Sequence, residues 1–92
     1  MKRYYTIRMD DQAVRFTPAG EVAVVDAIQA LSGSDHAGFI WRDIRRAHPK
    51  IARRCHDYPF RKNASTEVVD NEGWEKIEEA LINYIVEKGL PA

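Results

Sequence analysis

The strongest chemical signal in the sequence is a run of cationic side chains within WRDIRRAHPKIARRC, residues 41–55. In a helix, Arg42, Arg45 and Arg46 have the i, i+3, i+4 spacing that places side chains along one ridge. Rows of guanidinium groups bind phosphate backbones, because each neutralised phosphate releases condensed counterions. The sequence therefore predicts a surface for double-stranded DNA. Its predicted binding residues are Arg42, Arg45, Arg46, Lys50, Arg53 and Arg54.

The alternative is that these arginines belong to an ordinary helix surface. Arg-rich faces are often solvated or paired with carboxylates, and the last third of the chain offers Glu75, Glu78 and Glu79 as partners. Exposed ion pairs of this kind contribute only ~0–1 kcal/mol to stability. Phe39 lies near Arg42 on the helical wheel, where an exposed ring could stack or wedge beside the cations.

The charged residues are segregated along the chain, although the formal net charge is zero. Residues 42–62 contain eight bases and two acids, whereas residues 63–92 contain two bases and seven acids. A neutral total therefore permits a basic patch on part of the surface. How much of that patch a partner can reach depends on whether the acidic end lies against the basic middle within one chain.

Metal ligation is the next chemistry to consider, because His48, Cys55, His56 and Asp57 lie close together in sequence, with His36 nearby. Structural zinc sites use three or four Cys or His ligands in paired short spacings, and no such pair occurs here. On a helix, Cys55 and His56 would point about 100° apart. We predict neither a metal nor another cofactor, and a Cys55 thiol that behaves as a small apolar side chain.

The sequence contains no constellation of catalytic residues. A Cys–His nucleophile pair needs a base within hydrogen-bond reach and an oxyanion hole. SGSDHAG, residues 32–38, lacks both the lysine of a Walker loop and the strand–glycine–helix order of a dinucleotide site. The paired acids Asp10–Asp11 and Glu78–Glu79 are adjacent only in sequence and do not converge on a strand or helix. We therefore predict a protein that is not an enzyme.

Length and composition restrict the class of protein. A chain of 92 residues with 45% hydrophobic and 30% charged residues is expected to form one α+β domain over residues 1–92. No apolar run approaches the roughly 20 residues needed to span a bilayer. The start, MKRYYTIRMDD, lacks the apolar region of a signal peptide. With a single cysteine, no disulfide can form within the chain. We expect a cytoplasmic protein that does not associate with membranes.

The spacing of apolar residues predicts the secondary-structure elements up to and including the helix that carries Arg42, Arg45 and Arg46. Alternation in YYTIRM and AVRFT, separated by the turn DDQ, predicts an N-terminal β-hairpin. A first helix is predicted over about residues 21–31, with Gly33 as its C-terminal cap, although EVAVV could begin as a strand. A second helix is predicted over about residues 36–47, with Ser34 or Asp35 as its N-cap. Its inward face would contain Ala37, Ile40, Trp41, Ile44 and Ala47.

The remaining elements complete an α+β fold. Proline is tolerated at the first position of a helix, so PKIARRCHDY is predicted to form a short third helix with Ile51, Ala52 and Cys55 inward. RKNA would then be a polar loop and STEVVD a strand. A long helix would follow from an Asp70 cap to a stop at Lys88–Gly89.

The predicted fold class is therefore α+β, with an N-terminal β-hairpin, two or three central helices, a short third strand and a long C-terminal helix. Its core is predicted to contain the large apolar residues on the inward stripes of the three clearest helices. These residues are Ile28, Leu31, Ile40, Trp41, Ile44, Trp74, Ile77, Leu81 and Ile85.

Two motifs within residues 21–50 resemble the N-terminal domain of phage antirepressors and of baculovirus repeated-ORF (BRO-N) proteins. The helix motif V-V-D-x-I-x-x-L-[ST] matches residues 24–32, and the aromatic motif [WY]-x-x-[IL]-[KR] matches residues 41–45. A D-x-x-G step before the last helix is similar to Asp70–Gly73, which Trp74 follows. The resemblance covers residues 5–86, which is most of the chain.

This resemblance implies an α+β domain that binds DNA or regulates transcription, with Arg42, Arg45 and Arg46 as nucleic-acid contacts. We therefore expect a small DNA-associated regulator of phage or prophage type. The alternative from a different class is a protein-interaction module, for example a homodimer in which the basic and acidic thirds pair between subunits.

Overall fold

The computed structural model describes residues 4–9 and 12–88, except for the side chain of Met9. Over these residues the chain forms strands β1 (Tyr5–Met9), β2 (Gln12–Phe16) and β3 (Val22–Ala23), helices α1 (Val24–Ser32), α2 (Ala37–Ala47) and α3 (Pro49–Ala52), strands β4 (His56–Arg61) and β5 (Ala64–Val69), and helix α4 (Asn71–Lys88). The strands form one antiparallel sheet in the order β1-β2-β3-β5-β4. The fold is α+β, as the sequence predicts. None of the helices in this part of the chain is both long and apolar enough to cross a bilayer.

The N-terminal hairpin pairs Tyr5 with Phe16 and Ile7 with Val14. Directly opposed residues share a face of the sheet, and on this face Val14 is buried in the core while Tyr5 and Ile7 remain exposed. The hairpin is therefore confirmed, with its outer strand only partly covered. The predicted turn residues Asp10 and Asp11 lie outside the described residues.

The segment EVAVV begins as a strand. Val22 and Ala23 are both buried and pair with Val69 and Val68 of β5, and Val22 also pairs with Phe16 of β2. These ladder bonds hold the two residues extended, so α1 begins at Val24 rather than at residue 21. Its C-terminal end is as predicted, because Gly33 adopts the left-handed conformation with φ of 68°.

Asp26 ties the first turn of α1 to the hairpin. Its carboxylate accepts a hydrogen bond from the Arg15 backbone N–H at 3.0 Å and another from the Arg15 Nε at 2.8 Å. The hydrogen bond to Asp26 raises the pKa of the Arg15 guanidinium, which also lies 4.7 Å from the centroid of the Phe60 ring. The aspartate of the V-V-D motif thus has a structural role in this chain.

The helix predicted for PKIARRCHDY is wrong beyond its first turn. The short helix α3 ends at Ala52, and His56–Arg61 forms strand β4 on the edge of the sheet. Pairing with β5 satisfies the backbone of β4, and Tyr58 and Phe60 alternate onto a small cluster with Val68. Pro59 is compatible with this position because an edge strand leaves one row of backbone groups unpaired.

Strands β4 and β5 form a second hairpin, and the predicted polar loop RKNA lies at its turn. Arg61 pairs with Ala64, which leaves only Lys62 and Asn63 as the turn. Asn63 has φ of 74°, a left-handed conformation that asparagine tolerates better than most residues. The predicted strand STEVVD is confirmed as β5, and both of its last residues, Val68 and Val69, are buried.

The main core lies between the helices and one face of the sheet. Of the predicted core residues, Ile28, Ile40, Trp41, Ile44, Ile77 and Leu81 are buried, and Trp74 and Ile85 are half-buried against them. Leu31 was predicted incorrectly, since it is 48% exposed. It lies near the end of α1 and lines an open apolar groove rather than the core. Ala47, at the last position of α2, is also exposed rather than inward.

The predicted caps differ in outcome between α2 and α4. Neither Ser34 nor Asp35 caps α2, whose N-cap position is His36, and Ser34 Oγ instead accepts a hydrogen bond from the His36 N–H. Asp70 does cap α4, because its Oδ1 accepts a hydrogen bond from the Gly73 N–H at 2.8 Å. The predicted stop at Gly89 lies outside the described residues.

Gly73 is expected to be intolerant of a side chain. It is buried in the first turn of α4, and a Cβ added there would overlap Val69 Cγ2 and crowd Asp70 Oδ1. Overpacking typically costs ~1–3 kcal/mol, more than the ~1 kcal/mol that alanine gains over glycine in a helix. We expect Gly73→Ala to lower the melting temperature, measured by circular dichroism.

Gly38 provides the matched control for this substitution. It lies in α2 with open space around the added Cβ, so Gly38→Ala should leave the melting temperature unchanged or raise it. Equal melting temperatures for Gly73→Ala and the wild type would show that Val69 can move aside without cost.

Candidate nucleic-acid interface

Helix α2 presents its arginines outward because its apolar stripe is fixed in the core. Ile40, Trp41 and Ile44 are all buried, which orients Arg42 and the two arginines after Ile44 toward solvent. The side chains of Arg42 and Arg45 are 59% and 49% exposed. The predicted helix phase is therefore confirmed.

Four of the predicted site residues line one open groove. The chain turns at His48, whose backbone is not helical, and Pro49 then starts α3 at an angle to α2. The resulting groove has a volume of about 420 Å³. Pro49 and Ala52 contribute its apolar lining, and its cationic lining consists of Arg42, Arg45, Arg46 and Arg53.

The other two predicted site residues do not line this groove. Lys50 is exposed on α3 but is not part of the lining. Arg54 contacts the start of α4, where its Nη2 lies 3.6 Å from carboxylate oxygens of both Asp70 and Glu72. These two ion pairs join the segment after α3 to the start of α4.

The groove is only partly neutralised by carboxylates. Arg45 Nη1 lies 3.0 Å from Glu67 Oε1, and Arg42 Nε lies 4.0 Å from Asp43 Oδ1. Within the described residues, Arg46 and Arg53 have no carboxylate within 4.0 Å. Counting only the residues that the structure describes, the groove therefore retains cationic side chains without an acidic partner.

The acids expected to neutralise the basic middle were Glu75, Glu78 and Glu79 of α4. Over the described residues none of these three forms an ion pair with an arginine of the groove. The partner is instead Glu67 of β5, whose Oε1 also accepts a hydrogen bond from Trp41 Nε1 at 3.0 Å. Sequence spacing could not indicate this contact, because Glu67 and α2 are brought together only by tertiary packing.

Phe39 adds an exposed aromatic ring to one end of the arginine ridge. The ring is 59% exposed, and the Arg42 guanidinium carbon lies 4.9 Å from its centroid. The ring of His36, three residues earlier in the sequence, has its centroid 6.3 Å from the Phe39 centroid. A cation above an aromatic face is attracted by the ring quadrupole, so the contact holds Arg42 close to the ring.

Among the described residues, the cysteine and histidine side chains are not grouped into a metal-binding site. In the part of the chain that the structure describes, no three His, Cys, Asp or Glu side chains are grouped to hold a metal ion. Cys55 is half-buried, and its Sγ lies 3.8 Å from the Ile51 carbonyl oxygen. Burial raises the pKa of the Cys55 thiol to about 11, to which Glu67 also contributes. A thiol with this pKa is a poor nucleophile at neutral pH.

Cys55 is therefore expected to react slowly with iodoacetamide. Because its pKa is about 11, roughly one thiol in a thousand is ionised at pH 8, compared with about a tenth or more of ordinary thiols. We expect alkylation of the native protein at pH 8 to be about 100-fold slower than alkylation of the same chain in urea. The native rate should rise with pH up to about 11. Equal native and unfolded rates at pH 8 would contradict a raised pKa.

Comparisons with known proteins identified no relative of this chain. No family model, no curated protein and no solved structure matches this chain.

Proposed function

We propose that this chain is a small non-enzymatic DNA-associated regulator of the phage antirepressor (BRO-N-like) type, which binds double-stranded DNA through the arginine groove. The observation that supports this proposal most is that three arginines of α2 and Arg53, which directly follows α3, line one groove. Arg46 and Arg53 lack an acidic partner within the described residues. Such side chains are suited to phosphate, since guanidinium groups bind phosphate oxygens in a bidentate manner.

The contacts in this proposal are mainly to phosphate. The groove lies between α2 and the short α3, and its lining contains arginines, a proline and an alanine. Phosphate contacts set the position of a protein on DNA but carry no sequence information. Binding should therefore be weak, with a dissociation constant on the order of 10⁻⁴–10⁻⁶ M.

A fluorescence anisotropy titration with random-sequence duplex DNA tests the proposal. If three or four arginines neutralise phosphates, the affinity should fall roughly 40- to 150-fold between ~50 mM and ~200 mM salt. The absence of binding at the lower salt concentration would contradict the proposal, as would an affinity that does not depend on salt.

The second candidate function is a protein-interaction module that forms a homodimer. Two observations favour it. Tyr5 and Ile7 expose apolar side chains on the edge strand β1, and unpaired strand edges readily pair with another chain. In addition, Glu75, Glu78 and Glu79 have no ion pair within the described residues, so they are available to a second subunit. Sedimentation equilibrium would support this candidate if it found a dimer that dissociates as salt is raised. A monomer at all salt concentrations would exclude it.

A further inference from the structure

Arg42 lies at the junction of two neighbouring depressions on the surface. It lines the arginine groove, and it also lines a smaller open depression of about 330 Å³. The rest of the second depression is formed by residues at the start of α2 and just before it, namely Asp35, His36, Gly38 and Phe39. The Phe39 ring therefore lies beside the arginine at one end of the groove, with the Arg42 guanidinium carbon 4.9 Å from the ring centroid.

The second depression has a different chemistry from the groove. Among the described residues that line it, Arg42 is the only arginine or lysine, and the Asp35 carboxylate disfavours phosphate there. Its largest exposed apolar surface is the Phe39 ring, and a Cβ added at Gly38 would meet no atom within 4 Å. A flat aromatic group fits these features better than a phosphate does, because an aromatic ring stacks on a phenyl face and on a guanidinium plane.

We propose that Phe39 and Arg42 form a stacking site for an unpaired base, so that DNA held in the groove by its backbone can place one base on this site where its two strands are separated. The inference rests on the proposed function, since it requires that the groove binds nucleic acid. It adds a preference that phosphate contacts alone would not give. In an intact duplex the bases are stacked on each other and do not present a free face to Phe39 unless the duplex is unstacked.

The test uses three fluorescent probes of about 20 nucleotides, which are oligo-dT, an abasic strand of equal length and a fully paired duplex. Each probe is titrated with the wild type, Phe39→Leu and Phe39→Trp. Leucine keeps an apolar side chain but removes the aromatic face, whereas tryptophan keeps that face. Each variant is compared with the wild type on the same probe, because the higher charge density of the duplex favours it electrostatically.

We expect Phe39→Leu to weaken oligo-dT binding ~5- to 150-fold, the range that alanine substitution gives for one stacked base. Its affinity for the abasic strand and for the duplex should stay within about twofold, and Phe39→Trp should bind oligo-dT at least as well as the wild type. Equal effects of Phe39→Leu on all three probes, or no effect on any, would overturn the stacking site while leaving the groove intact. Failure of the wild type to bind any probe would overturn both the groove and the stacking site.

Discussion

Replacing Trp41 by alanine is expected to lower the free energy of unfolding by ~3–5 kcal/mol. Trp41 is only 4% exposed and belongs to the main core. Its loss would leave a cavity in the main core beside α2, and it would also remove the Nε1 hydrogen bond to Glu67. Small domains have a total stability of about 5–15 kcal/mol, so this single change would remove a large part of it. Urea denaturation followed by circular dichroism measures the effect.

Phe39 supplies the matched control for this prediction, because it is an aromatic residue on the same helix with its ring 59% exposed. Phe39→Ala should change the free energy of unfolding by less than about 0.5 kcal/mol. Trp41→Phe should give an intermediate loss, since it fills most of the volume but cannot donate to Glu67. A loss of under about 1 kcal/mol for Trp41→Ala would show that the core packing around α2 is not as the structure describes it.

Replacing Arg42, Arg45 and Arg46 together by alanine is expected to remove most of the affinity for duplex DNA and to leave the melting temperature nearly unchanged. All three line the groove, and the ion pairs of Arg42 and Arg45 involve half-exposed side chains. Such pairs contribute only ~0–1 kcal/mol. If each arginine neutralises one phosphate, the slope of log affinity against log salt should become shallower by about 2–3. Anisotropy titrations at several salt concentrations measure both quantities.

A triple substitution outside the groove provides the control. Arg61, Lys62 and Lys76 are exposed and do not line the groove, so replacing them by alanine changes the net charge equally. This control should retain most of the affinity. The opposite outcome would be a wild type that does not bind DNA, combined with a large drop in melting temperature for the groove variant. The arginines would then be structural, and the protein-interaction candidate would take precedence.

The local features of this protein follow from its sequence because they depend on spacing within one element. Apolar residues at helical spacing determine that Ile40, Trp41 and Ile44 face the core, and this alone determines that Arg42 and its neighbours face outward. Asp70 and Gly33 act as caps because side-chain and backbone preferences at helix ends are local. The α+β class, the first hairpin and the arginine ridge could therefore be predicted before the structure was known.

The features that the sequence did not reveal depend on contacts between distant segments. HDYPFR contains a proline and two charged residues, and it becomes strand β4 only because β5 offers it a partner. Leu31 continues the apolar stripe of α1, but its exposure depends on how far the neighbouring elements extend over it. Spacing within α1 contains no information about that distance.

For the arginine cluster, too, some features follow from the sequence and others only from the tertiary structure. The sequence determined that Arg42, Arg45 and Arg46 share a ridge, because 3.6 residues per turn place them there. Only the tertiary structure decided that Arg53 joins them in a groove, that Arg54 turns to the start of α4, and that Glu67 rather than an acid of α4 pairs with Arg45. The physical reason is that an ion pair or a shared groove requires side chains to lie within a few ångströms. For residues on different elements, that distance depends on the angle at His48 and on the pairing of the sheet, which local residue preferences do not specify.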